Sequence, residues 1–324
     1  MTPDRPWISV VIPAVIIRSS NEEPRSDSIC SQMILVAGAT GLVGHEVCRK
    51  LAVRGEKVRA LVRRSSSPER LAGLREVGAE LFIGDLKDPD SLKSACQGVD
   101  AIVSTASSTL SRQAGDSIES VDLGGQMNLQ NAAKLANVSR FVFVSFRRPP
   151  GISSPLADAK AAVERVVADL NFTIIQASWF MEVWLSPTLG FDYLNASARL
   201  YGPGTSPVSW VSYRDVAEMC ATALAHPAAE RRIIEFGGPK ALSPLDVVAR
   251  FEKISGRSFY VEHVPESALR AQYETATDSM QKSFAALMLG YSSGDAIEMS
   301  STITEFGLKL TSVDDYARAV LGKA

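Results

Sequence analysis

Three glycines near the start of the chain are spaced to surround a phosphate group. Gly38, Gly41 and Gly44 form a G-x-x-G-x-x-G pattern between an apolar run, Met33–Ala37, and a segment of helical periodicity, 42–54. The first glycine permits a sharp turn, the second lets the backbone approach a pyrophosphate, and the third lets the helix pack closely on the strand. An ordinary strand-turn-helix connection is the alternative, but the flanking segments favour a dinucleotide site at a helix N-terminus.

Two arginines stand where a dinucleotide site distinguishes between its coenzymes. Arg63 and Arg64 follow the second predicted strand, Lys57–Val62, and Arg63 lies 19 residues after Gly44. A site that prefers NAD places a carboxylate here to bind the ribose 2′-hydroxyl, whereas a guanidinium suits a 2′-phosphate. The sequence therefore predicts a preference for NADP(H) over NAD(H). The alternative is a solvated pair of surface arginines.

Apolar runs alternate with helical segments over the next part of the chain. The further predicted strands are Glu80–Ile83, Val99–Val103, Arg140–Ser145 and Phe172–Ile175, and the two longest intervening helices are 116–136 and 155–169. Six strands with intervening helices predict an α/β fold with a doubly wound parallel sheet. Ligands of such sheets lie at the carboxyl ends of the strands. We therefore expect one crevice lined by Asp85, Leu86, Thr105, Ala106, Ser145, Ala177 and Ser178.

Asp85 has two interpretations that the sequence does not separate. Its carboxylate either accepts a hydrogen bond from an adenine amino group or caps the turn that follows it. A second acid, Asp215, is expected to cap a helix that runs to about Ala225. Ile233–Phe236 then returns as a strand, and 264–324 has a mainly helical pattern.

The glycine turn is one of nine informative segments whose order along the chain is specific. These are Gly38–Gly44, Leu61–Arg63, Gly84–Leu86, Phe141–Ser145, Lys160–Glu164, Trp179–Glu182, Ser212–Ala217, Gly237–Pro239 and Leu308–Tyr316. Together they resemble the NmrA-like group of atypical short-chain dehydrogenases/reductases, from about Met33 to the end. The resemblance implies a Rossmann domain that binds NAD(P), over 33–185, and a smaller, mainly helical carboxyl-terminal lobe, 186–324, that shapes a substrate cleft. Segments near 210–236 are expected to return to the Rossmann domain.

The resemblance also implies candidate catalytic residues, Lys160 and Ser145. In the wider superfamily a tyrosine four residues before the lysine supplies the proton for carbonyl reduction, but position 156 is leucine here. Lys160 therefore either acts as the acid or base itself or only holds the nicotinamide ribose. Ser145 either orients a substrate carbonyl or satisfies neighbouring backbone groups. The predicted nucleotide-binding residues are Gly38, Thr40, Gly41, Leu42, Val43, Gly44, Arg63, Arg64, Asp85, Leu86, Thr105, Ala106, Ser145 and Lys160.

The chain departs from the family pattern after the sixth strand. Gln176-Ala-Ser178 replaces the common Arg-Pro-Gly, so the loop near the nicotinamide is altered. The aromatic-rich segment from Trp179 to Trp184 lines an apolar pocket or forms core between the lobes. Tyr193, Tyr201 and Tyr213 are possible replacements for the missing acid, and their spacing selects none of them.

Composition limits the remaining function classes. The 324 residues carry a formal net charge of −2 and no basic block, so neither a nucleic acid nor a membrane surface is an expected partner. The scattered residues Cys30, Cys48, Cys96 and Cys220 indicate reduced thiols of a cytoplasmic protein. His45, His226 and His263 lack metal-ligand spacing, so no metal site is expected. Residues 1–32 precede the first predicted strand and are expected to be a disordered extension. Their apolar run is too short to span a bilayer.

Three functions follow from the resemblance and from its departures. The first is an NADPH-dependent reductase of a small apolar carbonyl, quinone or enone, with Lys160 assisting protonation. The second is a regulator that senses NADP(H) without turnover and signals through a protein partner. The third is an assembly or scaffold protein whose nucleotide is structural. Leu156 in the tyrosine position weakens the enzyme interpretation, whereas the retained Lys160 and the complete second lobe favour it.

Overall fold

The computed structural model describes residues 32–111, 113–149 and 151–323. Almost all of the expected extension, 1–32, lies outside the described residues. The strands are β1 Met33–Ala37, β2 Lys57–Val62, β3 Glu80–Ile83, β4 Ala101–Ser104, β5 Arg140–Phe146, β6 Phe172–Ala177, β7 Phe191–Asp192, β8 Ser197–Tyr201, β9 Arg232–Phe236 and β10 Tyr260–Val264.

Twelve α-helices connect these strands or follow them within the described residues. They are α1 Leu42–Val53, α2 Pro68–Glu76, α3 Pro89–Ala95, α4 Gln126–Leu135, α5 Pro155–Val167, α6 Met181–Trp184, α7 Tyr213–Ala225, α8 Pro244–Ser255, α9 Glu266–Thr275, α10 Ser279–Ser293, α11 Ser300–Phe306 and α12 Val313–Val320. No helix in this described part is both long and apolar enough to cross a lipid bilayer.

Seven of the strands form one parallel sheet, which confirms the predicted doubly wound fold. The strand order is β3-β2-β1-β4-β5-β6-β9, so the order reverses direction between β1 and β4. The first six strands are those expected from the sequence, and β9 contains the predicted Ile233–Phe236 strand and pairs in parallel with β6. The crevice at the β1/β4 switch point is where such sheets bind their ligands.

Alternating side chains of the sheet build a core on each face. In β1, Ile34 and Val36 pack on the side of α1 and α7, whereas Leu35 and Ala37 pack on the side of α3, α4 and α5. This is the two-residue periodicity of a strand that is covered on both faces. The strand β1, which ends in the glycine turn, is therefore held from both sides.

The carboxyl-terminal part has its own small sheet and aromatic core. β10 pairs in parallel with β8, and β7 pairs antiparallel with β8. Trp184 stacks on Tyr291 with ring centroids 5.5 Å apart, and Trp179 meets Trp184 edge to face at 4.9 Å. Within the aromatic-rich segment 179–184, Trp179, Met181 and Trp184 are thus buried core.

Two expectations about helix starts are corrected by the structure. The helix predicted over 116–136 is instead a π-helix, Ile118–Gly125, capped by Ser117 and continued by α4. Helix α7 is capped by the Ser212 side chain, not by Asp215. The Asp215 carboxylate accepts hydrogen bonds from the amide and hydroxyl of Thr311, at 2.7 and 3.0 Å.

Candidate functional site

The glycine turn after β1 is so tight that there is no room for a side chain at Gly38 or at Gly44. Gly38 has a φ of +82°, and a Cβ there would lie 2.7 Å from the backbone nitrogen of Ala106. A Cβ on Gly44 would lie 2.1 Å from the carbonyl oxygen of Gly38. Gly44 therefore permits the close approach of α1 to the turn and does not line the cleft itself.

Helix α1 begins at this turn without any group to neutralise its positive end. Its N-cap, Gly41, supplies no side-chain hydrogen bond, and its first turn contains no acidic residue. By contrast, α2, α3 and α5 are capped by the side chains of Ser67, Asp88 and Ser154. Free amide groups and the helix dipole make such an uncapped N-terminus a site for an anion. Thr40, Gly41, Leu42 and Val43 all line the adjoining cleft.

A cluster of charges lies beside the end of β2. Arg63 Nη1 contacts Asp116 Oδ2 at 2.5 Å, and Lys87 and Ser111 donate to the same carboxylate. Arg70 of α2 lines the cleft as well and donates to the Thr40 carbonyl oxygen at 2.8 Å. Arg64 is exposed and is not part of the cleft lining. The predicted phosphate-binding pair is therefore split, with Arg63 inside the cleft and Arg64 outside it.

Asp116 is an ionised carboxylate within this cluster. Burial acts to raise its pKa, but the hydrogen bonds from Lys87, Ser111 and Arg63 outweigh burial and lower the pKa to about 2. The Asp116 side chain is only 2% exposed. Asp116 thus lies between two cations, one of which, Lys87, also pairs with Asp85 at 3.4 Å.

Loops after β3 and β4 supply the next part of the cleft. Asp85 Oδ1 accepts a hydrogen bond from the Lys87 amide at 2.9 Å, so it does cap the turn. Its other predicted role, binding adenine, stays a prediction. Thr105 donates through its amide and hydroxyl to the Ala37 carbonyl oxygen, at 2.9 and 3.2 Å, which ties the two loops together at the switch point. Asp85, Leu86, Thr105 and Ala106 all line the cleft.

Lys160 lies deep in the cleft in an ion pair that the sequence did not indicate. Its Nζ lies 3.4 Å from Oδ1 of Asp122 in the π-helix and 4.9 Å from the centre of the Phe143 ring. Asp122 Oδ2 accepts the amide and hydroxyl of Ser108, at 2.9 and 2.5 Å. Ser108 therefore fixes the carboxylate, so that its second oxygen faces the lysine.

Two polar atoms of residues that line the cleft are buried and have no hydrogen-bond partner among the described residues. They are Ser145 Oγ and Trp179 Nε1. Leu156 occupies the cleft lining one helical turn before Lys160 and brings no polar atom. A buried hydroxyl without a partner is costly unless a ligand satisfies it. Together with the uncapped helix α1, this observation fits a polar ligand that runs from the glycine turn to Ser145.

The far end of the cleft is mainly apolar and combines both parts of the chain. The whole cleft has a volume of about 370 Å³. Apolar side chains from the end of β5, from the 179–189 segment and from α10 line this end: Phe146, Trp179, Phe180, Val183, Trp184, Leu189, Phe284 and Leu287. The aromatic segment therefore fills both roles considered from the sequence, since its residues are core and also line the cleft.

The altered loop after β6 is tied to a carboxylate from the second part of the chain. Ser178 Oγ donates to Asp295 Oδ2 at 2.9 Å, and Arg147 donates to Asp295 Oδ1 at 2.5 Å. All three side chains line the cleft. Of the three candidate tyrosines, only Tyr213 is among the residues that line it. Its hydroxyl accepts a hydrogen bond from Arg214 Nε at 3.3 Å.

Sequence reasoning missed Asp122, Asp116, Arg70 and Asp295. Asp122 had a usable signal, because Ile118, Val121 and Gly125 place it on the buried face of a helix. A buried acid on that face needs a cationic partner. The other three had none, since each makes its contacts at the cleft with residues that are distant in the sequence.

Comparisons with known proteins agree with this architecture. The NmrA-like family model matches residues 30–317. The photosystem II assembly factor Ycf39 of Synechocystis sp. is 29% identical over 305 residues, covering 90% of this chain and 91% of the relative. The (4-alkanoyl-5-oxo-2,5-dihydrofuran-3-yl)methyl phosphate reductase of Streptomyces griseus is 32% identical over 242 residues, covering 74% and 79%.

Solved structures share the fold at low sequence identity. The NADPH-dependent quinone oxidoreductase of Escherichia coli in complex with NADPH superposes with a TM-score of 0.71 at 23% identity, covering 89% of this chain and 99% of that chain. This likeness shows the fold, a Rossmann-type parallel sheet with flanking helices. Because the family model spans nearly all of the described residues, the chain belongs to the NmrA-like family.

Proposed function

We propose that the protein is an NADPH-dependent reductase of a small apolar carbonyl, quinone or enone. The observation that carries this proposal is the buried Lys160, which pairs with Asp122 and lines one cleft together with the glycine turn and the apolar end. Lys160 shares the cleft lining with Ser145, whose buried hydroxyl has no hydrogen-bond partner among the described residues. A proton donor has to face the place where charge develops.

The residues at the nucleotide end are assigned by their chemistry. The amides at the start of α1 would hold the diphosphate, and Arg63 would hold the 2′-phosphate. Lys160 is also placed to hold ribose hydroxyls, which was its alternative role. When bound, NADPH supplies the hydride for the reduction. The remaining tasks, orientation and proton supply, belong to the side chains of the cleft.

Lys160 is the group that we assign to protonation. Leu156 cannot donate a proton, and the Asp122 carboxylate holds Lys160 Nζ in place from 3.4 Å away. An ammonium at this place both stabilises an oxyanion and can give up a proton from Nζ. Ser145 Oγ has a free donor among the described residues, so it would orient the substrate oxygen.

The apolar end of the cleft supports a neutral, largely hydrocarbon substrate. Trp184, Leu189, Phe284 and Leu287 line it, and they provide surface that a planar ring system would cover. The name of one solved structure, a quinone oxidoreductase, agrees with this substrate class. The dihydrofuranone named for a second relative differs from it, because that compound also carries a phosphate group.

A cytoplasmic location remains part of the proposal. Cys48, Cys96 and Cys220 are free and buried in the described structure. Burial raises the pKa of Cys96 to about 11 and that of Cys48 to about 12, so both thiols are unreactive. Such thiols agree with a reducing compartment.

The test is the oxidation of NADPH in the presence of a panel of quinones, enones and aldehydes. We expect turnover with at least one compound class and a loss of about 100-fold or more in Lys160→Met. The matched control is Lys134→Met, because Lys134 is also paired with an aspartate, Asp169 at 2.8 Å, but on the surface. Equal rates in the two variants would refute the role of Lys160.

A second candidate function is an assembly factor with a structural nucleotide. It is favoured by the Ycf39 relatives, which match over most of the chain, and by Leu156 in the position of the catalytic tyrosine. Tight NADPH binding without turnover on any compound would favour this function or that of a nucleotide-sensing regulator. Either of these would require a protein partner.

A further inference from the structure

We propose that Asp116 sets the balance between NADPH and NADH by competing with the 2′-phosphate for Arg63 and Lys87. This inference rests on the proposed function, because it concerns the nucleotide end of the same cleft. It assigns a role in coenzyme selection to a residue that lies neither in the glycine turn nor at the end of β2, where such residues are usually found.

The geometry makes Asp116 an internal substitute for a phosphate group. Its two oxygens are divided between the cations, Oδ2 with Arg63 at 2.5 Å and Oδ1 with Lys87, and Ser111 donates to Oδ2 as well. Guanidinium, ammonium and hydroxyl donors around one anion are the donor set that phosphates use. Arg63, Asp116 and Ser111 all line the cleft, so the anion occupies the nucleotide site itself.

The charges determine what an incoming coenzyme must do there. In the free chain the Asp116 carboxylate already satisfies the two cations, and the third nearby cation, Arg70, is bound to the Thr40 carbonyl oxygen. A 2′-phosphate therefore has to displace Asp116 from Arg63. The apparent affinity for NADPH is then the intrinsic affinity multiplied by the fraction of chains in which Arg63 is released.

NADH meets the opposite situation. Its ribose 2′-hydroxyl can donate to an ionised carboxylate without displacing any ion pair, as an acid at a strand end does in sites that prefer NAD. Asp116 thus penalises NADPH and assists NADH. The site is consequently less selective for NADPH than Arg63 alone would make it.

The experiment is calorimetric titration of the full-length chain with NADPH and with NADH. We expect Asp116→Asn to bind NADPH about tenfold more tightly and NADH no more tightly than the unsubstituted protein does. In Arg63→Gln/Asp116→Asn, compared with Arg63→Gln alone, most of that gain should disappear. Glu80→Gln is the control for net charge, because Glu80 pairs with Arg59 at 3.2 Å outside the cleft.

The outcomes separate this inference from the proposed function. If the unsubstituted protein binds NADPH and Asp116→Asn leaves the ratio of the two affinities unchanged, the inference is wrong and the proposed function stands. If the unsubstituted protein binds neither coenzyme, the proposed function fails first. Thermal unfolding verifies that each variant folds, and Asp116→Ser, which also removes the charge, replaces Asp116→Asn if the latter does not fold.

Discussion

Lys160 and Asp122 form an ion pair that is almost completely withdrawn from solvent. Their side chains are 7% and 0% exposed, and Nζ lies 3.4 Å from Oδ1. Such a pair contributes little to stability on balance, because removing both charges from water costs about as much as their attraction returns. Lys160 and Ser145 both line the cleft, and this shared position is the reason why we propose a chemical role for the pair.

Asp122→Asn should reduce turnover while leaving coenzyme affinity nearly unchanged. Asparagine keeps an oxygen for Ser108 but removes the charge that holds Lys160, so we expect kcat to fall by about 10- to 100-fold. Steady-state kinetics over a range of pH measure this, since a positioning role also moves the pH profile of kcat. Asp169→Asn, which removes the surface partner of Lys134, should change neither quantity. A change in KM alone would contradict a role for Asp122 in protonation.

Gly38→Ala should abolish nucleotide binding and destabilise the fold. Gly55→Ala should leave nucleotide binding intact and should destabilise the fold much less. Both glycines have positive φ angles, +82° and +81°, so both substitutions carry the same backbone strain of about 1 to 2 kcal/mol. Only Gly38 has backbone atoms within 3 Å of the added Cβ, and no described atom lies within 4 Å at Gly55. Chemical denaturation gives the two free energies of unfolding. Equal losses would show that the turn tolerates a side chain.

Arg63→Gln should weaken NADPH binding by about tenfold or more and affect NADH much less. The reason is that only NADPH carries the 2′-phosphate which the guanidinium would bind. Arg64→Gln is the matched control, because the neighbouring arginine is exposed and outside the cleft lining. Fluorescence titration with both coenzymes measures the four affinities. Equal effects of the two substitutions would assign the preference to general surface charge.

Asp215 should make the protein more stable as the pH falls from 7 towards 4. Burial raises the pKa of this carboxyl from 3.8 to about 6, although Thr311 donates two hydrogen bonds to it. The folded state therefore binds the proton more tightly than the unfolded state. The resulting stabilisation is complete below about pH 4 and is lost as the pH rises through about 6.

The measurement for Asp215 is the free energy of unfolding of the unsubstituted protein and of Asp215→Asn across this pH range. Asparagine does not titrate, so the difference between the two proteins should grow in favour of the unsubstituted protein by about 3 kcal/mol as the pH falls. A constant difference between pH 7 and pH 4 would mean that the carboxyl titrates normally.

Much of the fold and the nucleotide end of the site could be predicted because the signals are local. The turn at Gly38–Gly44 and the strand periodicity are read within short windows, and parallel strands then bring their carboxyl ends together. The contacts of Asp116 and Asp122 could not be predicted in this way. Arg63 meets Asp116 across 53 positions of sequence. The helical spacing around Asp122 indicates a buried acid, but it does not indicate that Lys160 is the partner of this acid.

Asp215 shows a different limit of sequence reasoning. An acid in the first turn of a helix is usually a cap or a partner of the dipole, and the expectation followed from that rule. In the structure Ser212 caps the helix instead, and the acid is bound by Thr311 from a distant segment. Tertiary contact overrode a local preference.

The most direct test of the central claim is the transfer of hydride itself. The unsubstituted protein is incubated with NADPH that carries deuterium at the transferable position of the nicotinamide, together with enones and aldehydes, and the products are analysed by mass spectrometry. We expect deuterium in a product carbon with the unsubstituted protein and a loss of the label with Lys160→Met. Binding of NADPH without deuterium in any product would contradict the assignment of the protein as a reductase.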